Sequence, residues 1–514
     1  MSRQNPSLLD VTCEAYVLDV AKLSPTDATA WGIPGHEHEL QDFSPAYWDD
    51  LAGLARDLLA DVDAFDDCTD DSDDEDDFDS ADHITAAILR DRLGLQLDLH
   101  HRAEFYGQLN NIASPVQTIR DTFSLMEDQE AIRARLAGVP AALDGYRESL
   151  ALAAGQGRVA ALRQVELLIA ECGNMGGFLH GLGAPEAEAD TAARAFGELA
   201  DWLSAELAGV APACDAVGRE RYELFSHEFL GAKVDLDEAY EWGLDELARI
   251  TAEQEALARE LYGNGTTVTE AIARLNAEEE YTIRGVDKLR DWMQAVADRG
   301  VAEYGTPPIE CCIDPAGTGG IFYTPPALDG TRPGRMWWSV APGEDTFHTW
   351  QELTTVYHEG VPGHHYQITA ALQAPLNLWR RVVCWNSGHG EGWALYAENL
   401  MEHTPATRMG LLDAQRLRAA RVALDIGVHL GKKNWDAAYA RNFLRENCSL
   451  SSAALEFEIN RYLGWPGQAP SYALGQRLWE QMRDESGLPL SEFHTRALSY
   501  GSIPLGLLRE MMRG

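Results

Sequence analysis

Positive charge is scarce in this 514-residue chain: 41 Lys and Arg stand against 82 Asp and Glu, a formal net charge of −41 at pH 7. Nucleic-acid binders need clustered Lys and Arg to meet phosphates, and anionic membrane surfaces attract the same residues, so the imbalance argues against both partners. Long apolar runs are also missing. No stretch reaches about 18 residues, so no membrane span is predicted. The opening Met1-Ser-Arg-Gln-Asn-Pro does not begin a charged-then-apolar export signal. Cysteine is sparse and scattered, at 13, 68, 172, 214, 311, 312, 384 and 448, with no C-x-x-C spacing. That pattern excludes a disulfide framework or a cysteine metal clip; it predicts reduced thiols and a cytoplasmic location. Internal repeats are absent as well.

What is present points to helices. Over the first 210 residues Ala, Leu, Arg and Glu dominate, and the β-branched alternation of strands is missing. Ala141 to Ala154, Val159 to Cys172 and Ala187 to Leu207 carry apolar residues at three- and four-residue intervals. Gly173 to Gly177 and Gly181 to Pro185 read as breaks. From Asp61 to Asp82 there are 13 acidic residues and no basic one, which predicts a solvated loop. A calcium loop is disfavoured there, since the run lacks the loop glycine and closing glutamate. Nothing in this half has a spacing that suggests chemistry, so residues 1–215 are read as a helical scaffold or cover.

Residues 216–514 carry the rest. Helices are expected around Leu236–Leu261 and Thr269–Leu275. Short strands and turns are expected from Pro307 to Pro342, and helices again from Asp345 to the end. The fold class is therefore mainly α, with a small β element near 310–342. Gly317-Thr-Gly-Gly320 is not followed by the Lys-Ser/Thr of a phosphate loop, and Cys311-Cys312 lack a basic activator.

The chemical signal is densest at Val356-Tyr357-His358-Glu359-Gly360-Val361-Pro362-Gly363-His364-His365-Tyr366-Gln367. Asp345 is a candidate N-cap, with Phe347, Trp350, Leu353 and Val356 marking the buried face of the helix leading in. In H-E-x-x-H zinc proteases both histidines share a helix face and the glutamate is the general base. Here the second histidine position is Pro362. In an unbroken helix His365 would return to the right face, but seven residues rise about 10.5 Å. That is too far for two bonds of roughly 2 Å to one ion. The helix must bulge or break at Gly360 to Gly363. With two residues looped out, His364 becomes the second ligand, and His365 a neighbour or substrate contact.

A third donor follows. Glu391, Ala394, Leu395 and Glu398 share one helix face, and a carboxylate buried there needs a partner. Glu391 is assigned as the third ligand and Glu398 as the residue that orients a ligand histidine. Arg421, Asp425 and His429 follow at i, i+4 and i+8. His429 is a candidate contact to the oxyanion or a substrate terminus, with Asp425 fixing its tautomer. Tyr472 is a candidate donor to the tetrahedral intermediate. Arg461 would either hold a substrate carboxylate or pair with Glu458, and Tyr323 would line the substrate strand.

Several segments resemble one bacterial family, domain of unknown function 885: the HEGVPGHHYQ run, Tyr323-Thr-Pro-Pro-Ala-Leu-Asp-Gly-Thr-Arg-Pro-Gly334, Glu391-Gly-Trp-Ala-Leu-Tyr-Ala-Glu398, Arg461-Tyr-Leu-Gly-Trp-Pro-Gly-Gln-Ala469 and Gly501-Ser-Ile-Pro-Leu505. The resemblance is specific from about residue 220 onward. The family is grouped with glutamate-zincin (gluzincin) metallopeptidases, which implies a helical peptidase-like body with a zinc site in a cleft.

The residues and the resemblance together predict a zinc hydrolase of the peptidase type. His358, His364 and Glu391 would hold one Zn²⁺ and Glu359 would serve as general base, acting on short peptides or small amides. The alternative is a metal-bearing peptide-binding protein of the same fold without catalysis.

Overall fold

The computed structural model describes residues 6–69, 80–314, 320–328, 330, 332–341, 343–432 and 435–513. Most of the acidic run, 70–79, and residues 317–319 of the glycine-rich stretch lie outside the described residues. The two ends of the acidic segment are helical, closing helix Pro45–Thr69 and opening helix Ser80–His101.

The chain is mainly α. Among the described residues, 21 α-helices accompany five short strands. No described helix is long and apolar enough to cross a membrane. One expected break is absent. Helix Leu162–Gly181 runs through Gly173–Gly177, because Cys172, Met175 and Leu179 bury one continuous face against helix Glu186–Trp202. Helix Gln129–Gly155 likewise runs through Pro140, with Val139, Ala142 and Leu143 buried around it. Burial of an apolar face outweighs local propensity in both.

Strands Ile309–Asp314, Ile321–Thr324 and Gly334–Ser339 form the expected β element. The third strand lies in the middle, parallel to the first and antiparallel to the second. A second pair, Thr282–Arg284 with Thr346–His348, had no signal in the sequence. It displaces the start of the following helix. Residues 346–348 are strand, the Asp345 carbonyl accepts from Gly285 N at 2.7 Å, and the helix begins at Thr349 with His348 as N-cap.

The apolar core does not divide at residue 215. One core is formed within the N-terminal helices by residues such as Phe43, Val139, Leu168, Phe196 and Leu207. The larger one joins Leu9, Val17, Leu58 and Leu89 to Trp393, Leu424, Trp479 and Leu508. The first, third and fourth helices are thereby built into the C-terminal body. A third core seats the three-stranded sheet, through Ile309, Met336 and Trp338, against Val356 and Tyr357 of helix Thr349–Glu359.

Helix Ser387–Glu398 lies against helix Pro470–Ser486 at glycine contacts. A Cβ on Gly392 would come within 2.4 Å of the Gly475 backbone, and one on Gly475 within 2.4 Å of the Gly388 carbonyl oxygen. Only hydrogen at these positions allows the two backbones to approach this closely.

Candidate functional site

Helix Thr349–Glu359 ends at the point where the sequence requires a break. Residues 360–363 turn, and a new helix runs His364–Gln373. The turn is tight: a Cβ on Gly363 would sit 1.9 Å from the His358 carbonyl oxygen. Trp393, from helix Ser387–Glu398, donates its indole N–H to the Pro362 carbonyl at 2.9 Å and so ties the turn to that helix. Asn386 caps the same helix by accepting from His389 N.

These constraints bring three side chains together. The His358 and His364 ring centroids are 4.8 Å apart. Glu391 Oε2 lies 3.2 Å from His358 Nε2 and 3.5 Å from His364 Nε2. One donor atom from each residue falls within 4.8 Å of the others, and this is the sole such cluster among the described residues. His365 points elsewhere. Its Nε2 donates to the Pro307 carbonyl at 2.7 Å, and its Nδ1 accepts from the Tyr323 hydroxyl at 2.8 Å. Fully buried, with both nitrogens engaged, His365 braces the β element, and Tyr323 is its partner in that brace. His365 is therefore not free to serve as the substrate contact expected of it.

Glu398 is buried and bonds Nδ1 of His358 at 2.7 Å, while its other oxygen accepts from Thr354 at 2.5 Å. Thr354 was missed in the sequence, although it lies one helical turn before His358. Glu359, also buried, makes no hydrogen bond with the described residues. Burial raises its carboxyl above the ordinary range, against the opposing pull of His358 and His364.

Charge in this pocket runs negative. Glu359, Glu391 and Glu398 surround two imidazoles. Burial would lower His358, but its bonds to Glu391 and Glu398 push it up to about 10. Burial would raise Glu391, but bonds from the two histidines hold it well below the ordinary range. Carboxylates that hold a proton on a buried ring favour positive charge at that point. His364 Nδ1 is buried without a hydrogen-bond partner. Two imidazoles, one carboxylate and a surplus of negative charge fit a divalent cation of the zinc type.

Glu391 also lines a cavity of about 860 Å³ between the N-terminal helices and the C-terminal body. Trp385, another residue missed in the sequence, lines it too, with its ring 6.3 Å from that of His364. Tyr472 and Arg461 share this wall, and Arg461 Nη2 donates to Gln468 Oε1 at 2.7 Å. Burial and the neighbouring Glu391 raise the Tyr472 phenol.

Asp425 and His429 lie apart from the cavity, which corrects the role expected of them. Asp425 Oδ1 accepts from the Tyr222 hydroxyl at 2.6 Å and Gly467 N at 2.9 Å. His429 Nε2 donates to the Tyr462 carbonyl at 2.9 Å, and its ring stacks on Tyr222. Both are buried core braces. Helix periodicity identifies their shared face without showing what covers it. Cys311 and Cys312 are free thiols, and burial pushes Cys311 up to about 12, consistent with no nucleophilic role.

Two buried imidazoles outside the cluster carry a pH dependence. His389 Nδ1 accepts from the Gln367 amide, and burial lowers this ring to about 3. Burial, helped by Arg483, lowers His494 to about 4. Both are neutral in the folded protein, whereas the unfolded chain takes up protons below about 6.5. Their contribution is full above that pH and is lost as pH falls toward 4 and 3, at about 1.4 kcal/mol per unit per ring. The thermal unfolding midpoint should fall steadily from pH 6.5 to 4 in calorimetry, and less so in His494→Gln. A profile flat over that interval in the unmutated protein would contradict the neutral state.

A mainly helical body with a largely buried His-His-Glu cluster beside a cavity defines the class. The chain belongs to the family described as bacterial protein of unknown function (DUF885), whose model matches residues 25–512. The match thus extends well ahead of the motifs that begin near residue 220. No curated protein matches. Among solved structures, the chain is similar to a "putative lipoprotein" from Colwellia psychrerythraea (19% identity, 98% of each chain covered, TM-score 0.81). It is also similar to a "putative lipoprotein of unknown function" from Shewanella oneidensis (17% identity, 99% of this chain and 100% of that one, TM-score 0.73). At these identities the likeness shows the fold alone.

Proposed function

We propose that this protein is a zinc-dependent hydrolase of the gluzincin metallopeptidase type, acting on short peptides or small amides. One observation carries the reading: Glu391 Oε2 meets the Nε2 atoms of His358 and His364, and Glu359, next to His358 in the chain, is buried with no hydrogen bond to the described residues. A zinc ion held by His358, His364 and Glu391 supplies Lewis-acid chemistry toward water and an amide carbonyl.

The chain's own groups do the rest. Glu398 fixes the tautomer of His358 through Nδ1 and leaves Nε2 for the cluster. The Glu359 carboxylate, made more basic by burial, takes a proton from water as the water oxygen bonds to the carbonyl carbon. It passes that proton to the leaving nitrogen as the C–N bond breaks. Tyr472, on the cavity wall with Glu391, donates its hydroxyl to the developing oxyanion. The N-terminal helices wall one side of the cavity, which favours short substrates over folded proteins.

The test is elemental analysis of protein purified without an affinity tag, with a dipeptide-library hydrolysis screen before and after chelation. About one zinc per chain, and turnover that chelator abolishes and zinc restores, are the expected results. Protein without bound metal, or hydrolysis indifferent to chelator, would overturn the proposal.

A further inference from the structure

The cavity next to Glu391 holds a guanidinium that hydrogen-bonds to no carboxylate among the described residues. Glu458 is the carboxylate nearest Arg461, but Arg421 occupies it, with Nη2 at 3.1 and 3.3 Å from its two oxygens. Arg461 Nη1 reaches no closer than 3.9 Å to Glu458 and makes no hydrogen bond with the described residues. Its Nε is buried without a partner. The partners of Nη2, Gln468 and Tyr472, are both neutral. Asp425 feels the charge of Arg461 but spends Oδ1 on Tyr222 and Gly467, so neither neighbouring carboxylate accepts a hydrogen bond from Arg461, the guanidinium of the two that lines the cavity. Arg92, the other cation on that lining, donates from Nε to Asp91 at 2.8 Å.

A charge withdrawn from water without a close, hydrogen-bonded counter-ion is costly, and the two carboxylates near Arg461 are engaged by other donors. The position fits a ligand. Helix Pro470–Ser486 meets helix Ser387–Glu398 where Gly475 faces Gly392, one turn from Tyr472 and one residue from Glu391. The Arg461–Tyr472 pair thus flanks the cluster. Beyond it the wall turns aromatic: Trp48 and Phe105 stack at 5.6 Å, and Trp465 meets Phe229 at 5.5 Å. This is room for one or two large apolar side chains next to an anion.

We infer that Arg461 receives a substrate carboxylate, the free C-terminus of a short peptide whose apolar residues fill the aromatic chamber. This rests on the hydrolase reading for its chemistry. Cleavage of the amide beside Glu391 would release the carboxylate-bearing piece, an exopeptidase outcome.

Calorimetric binding to the full chain carrying Glu359→Gln tests it without turnover, using acetyl-Ala-Phe, its C-terminal amide, and acetyl-Glu-Phe amide. The free acid should bind at least about tenfold more tightly than the amide. That advantage should vanish on adding Arg461→Gln and persist in part with Arg461→Lys. Equal binding of acid and amide, no binding of either, or an advantage that survives Arg461→Gln overturns the inference. Acetyl-Glu-Phe amide binding as well as the free acid would keep carboxylate recognition but overturn the C-terminal source. If Arg461→Gln does not fold, the acid-to-amide ratio and Arg461→Lys still decide. Because binding is read apart from turnover, failure here leaves the hydrolase reading standing. Absence of turnover in the unmutated protein likewise leaves this inference standing.

Discussion

Glu359→Gln is expected to lower peptide turnover by about 10²–10⁴-fold, the usual contribution of a positioned general base. Zinc content and peptide affinity should stay close to those of the unmutated protein. The separation follows from geometry: Glu359 is adjacent to His358 in the chain, yet the donor cluster is made by His358, His364 and Glu391. Glutamine keeps the volume and removes the carboxylate, so no cavity is created. Steady-state kinetics with metal analysis on the same preparation reads both effects. If peptide binds and turnover is undetectable even before the substitution, the protein is a metal-bearing binder. If turnover survives Glu359→Gln, the base is another group.

The second large effect distinguishes adjacent histidines. His364→Ala is expected to purify essentially without zinc, whereas His365→Ala should retain it. His364 Nε2 faces Glu391, while His365 spends both nitrogens on Pro307 and Tyr323. The cost of His365→Ala should appear as stability instead, because the Tyr323 hydroxyl and the Pro307 carbonyl lose their partner, at about 1–3 kcal/mol for each buried group left unsatisfied. Zinc measured per chain, alongside thermal unfolding, tells the two apart. Equal zinc content in the two variants would remove His364 from the ligand set.

Much of the site was legible in the sequence because its constraints are local. Gly360, Pro362 and Gly363 permit an interruption, and the rise of a helix forbids His358 and His365 from sharing an ion without one. Glu391 and Glu398 sit two turns apart on one face, so one can meet the ring's Nε2 while the other bonds its Nδ1. The errors have a shared cause. Asp345 reads as an N-cap until residues 346–348 pair with Thr282–Arg284. Gly173–Gly177 reads as a break until the neighbouring helix covers it. Asp425 and His429 share a face that reads as catalytic until Tyr222 and the Gly467 amide occupy it.

Sequence alone determined the helical class, the interruption after Glu359 and the short set of candidate donors around it. These depend on backbone geometry and on side-chain chemistry within a few turns. Tertiary structure alone decided that Glu391, 33 residues after His358, reaches both rings, that His365 turns away from them, and that Arg461 loses Glu458 to Arg421. Each depends on which element packs against which, and the burial that drives such packing is non-directional: it leaves in the local sequence no mark of the partner it selects.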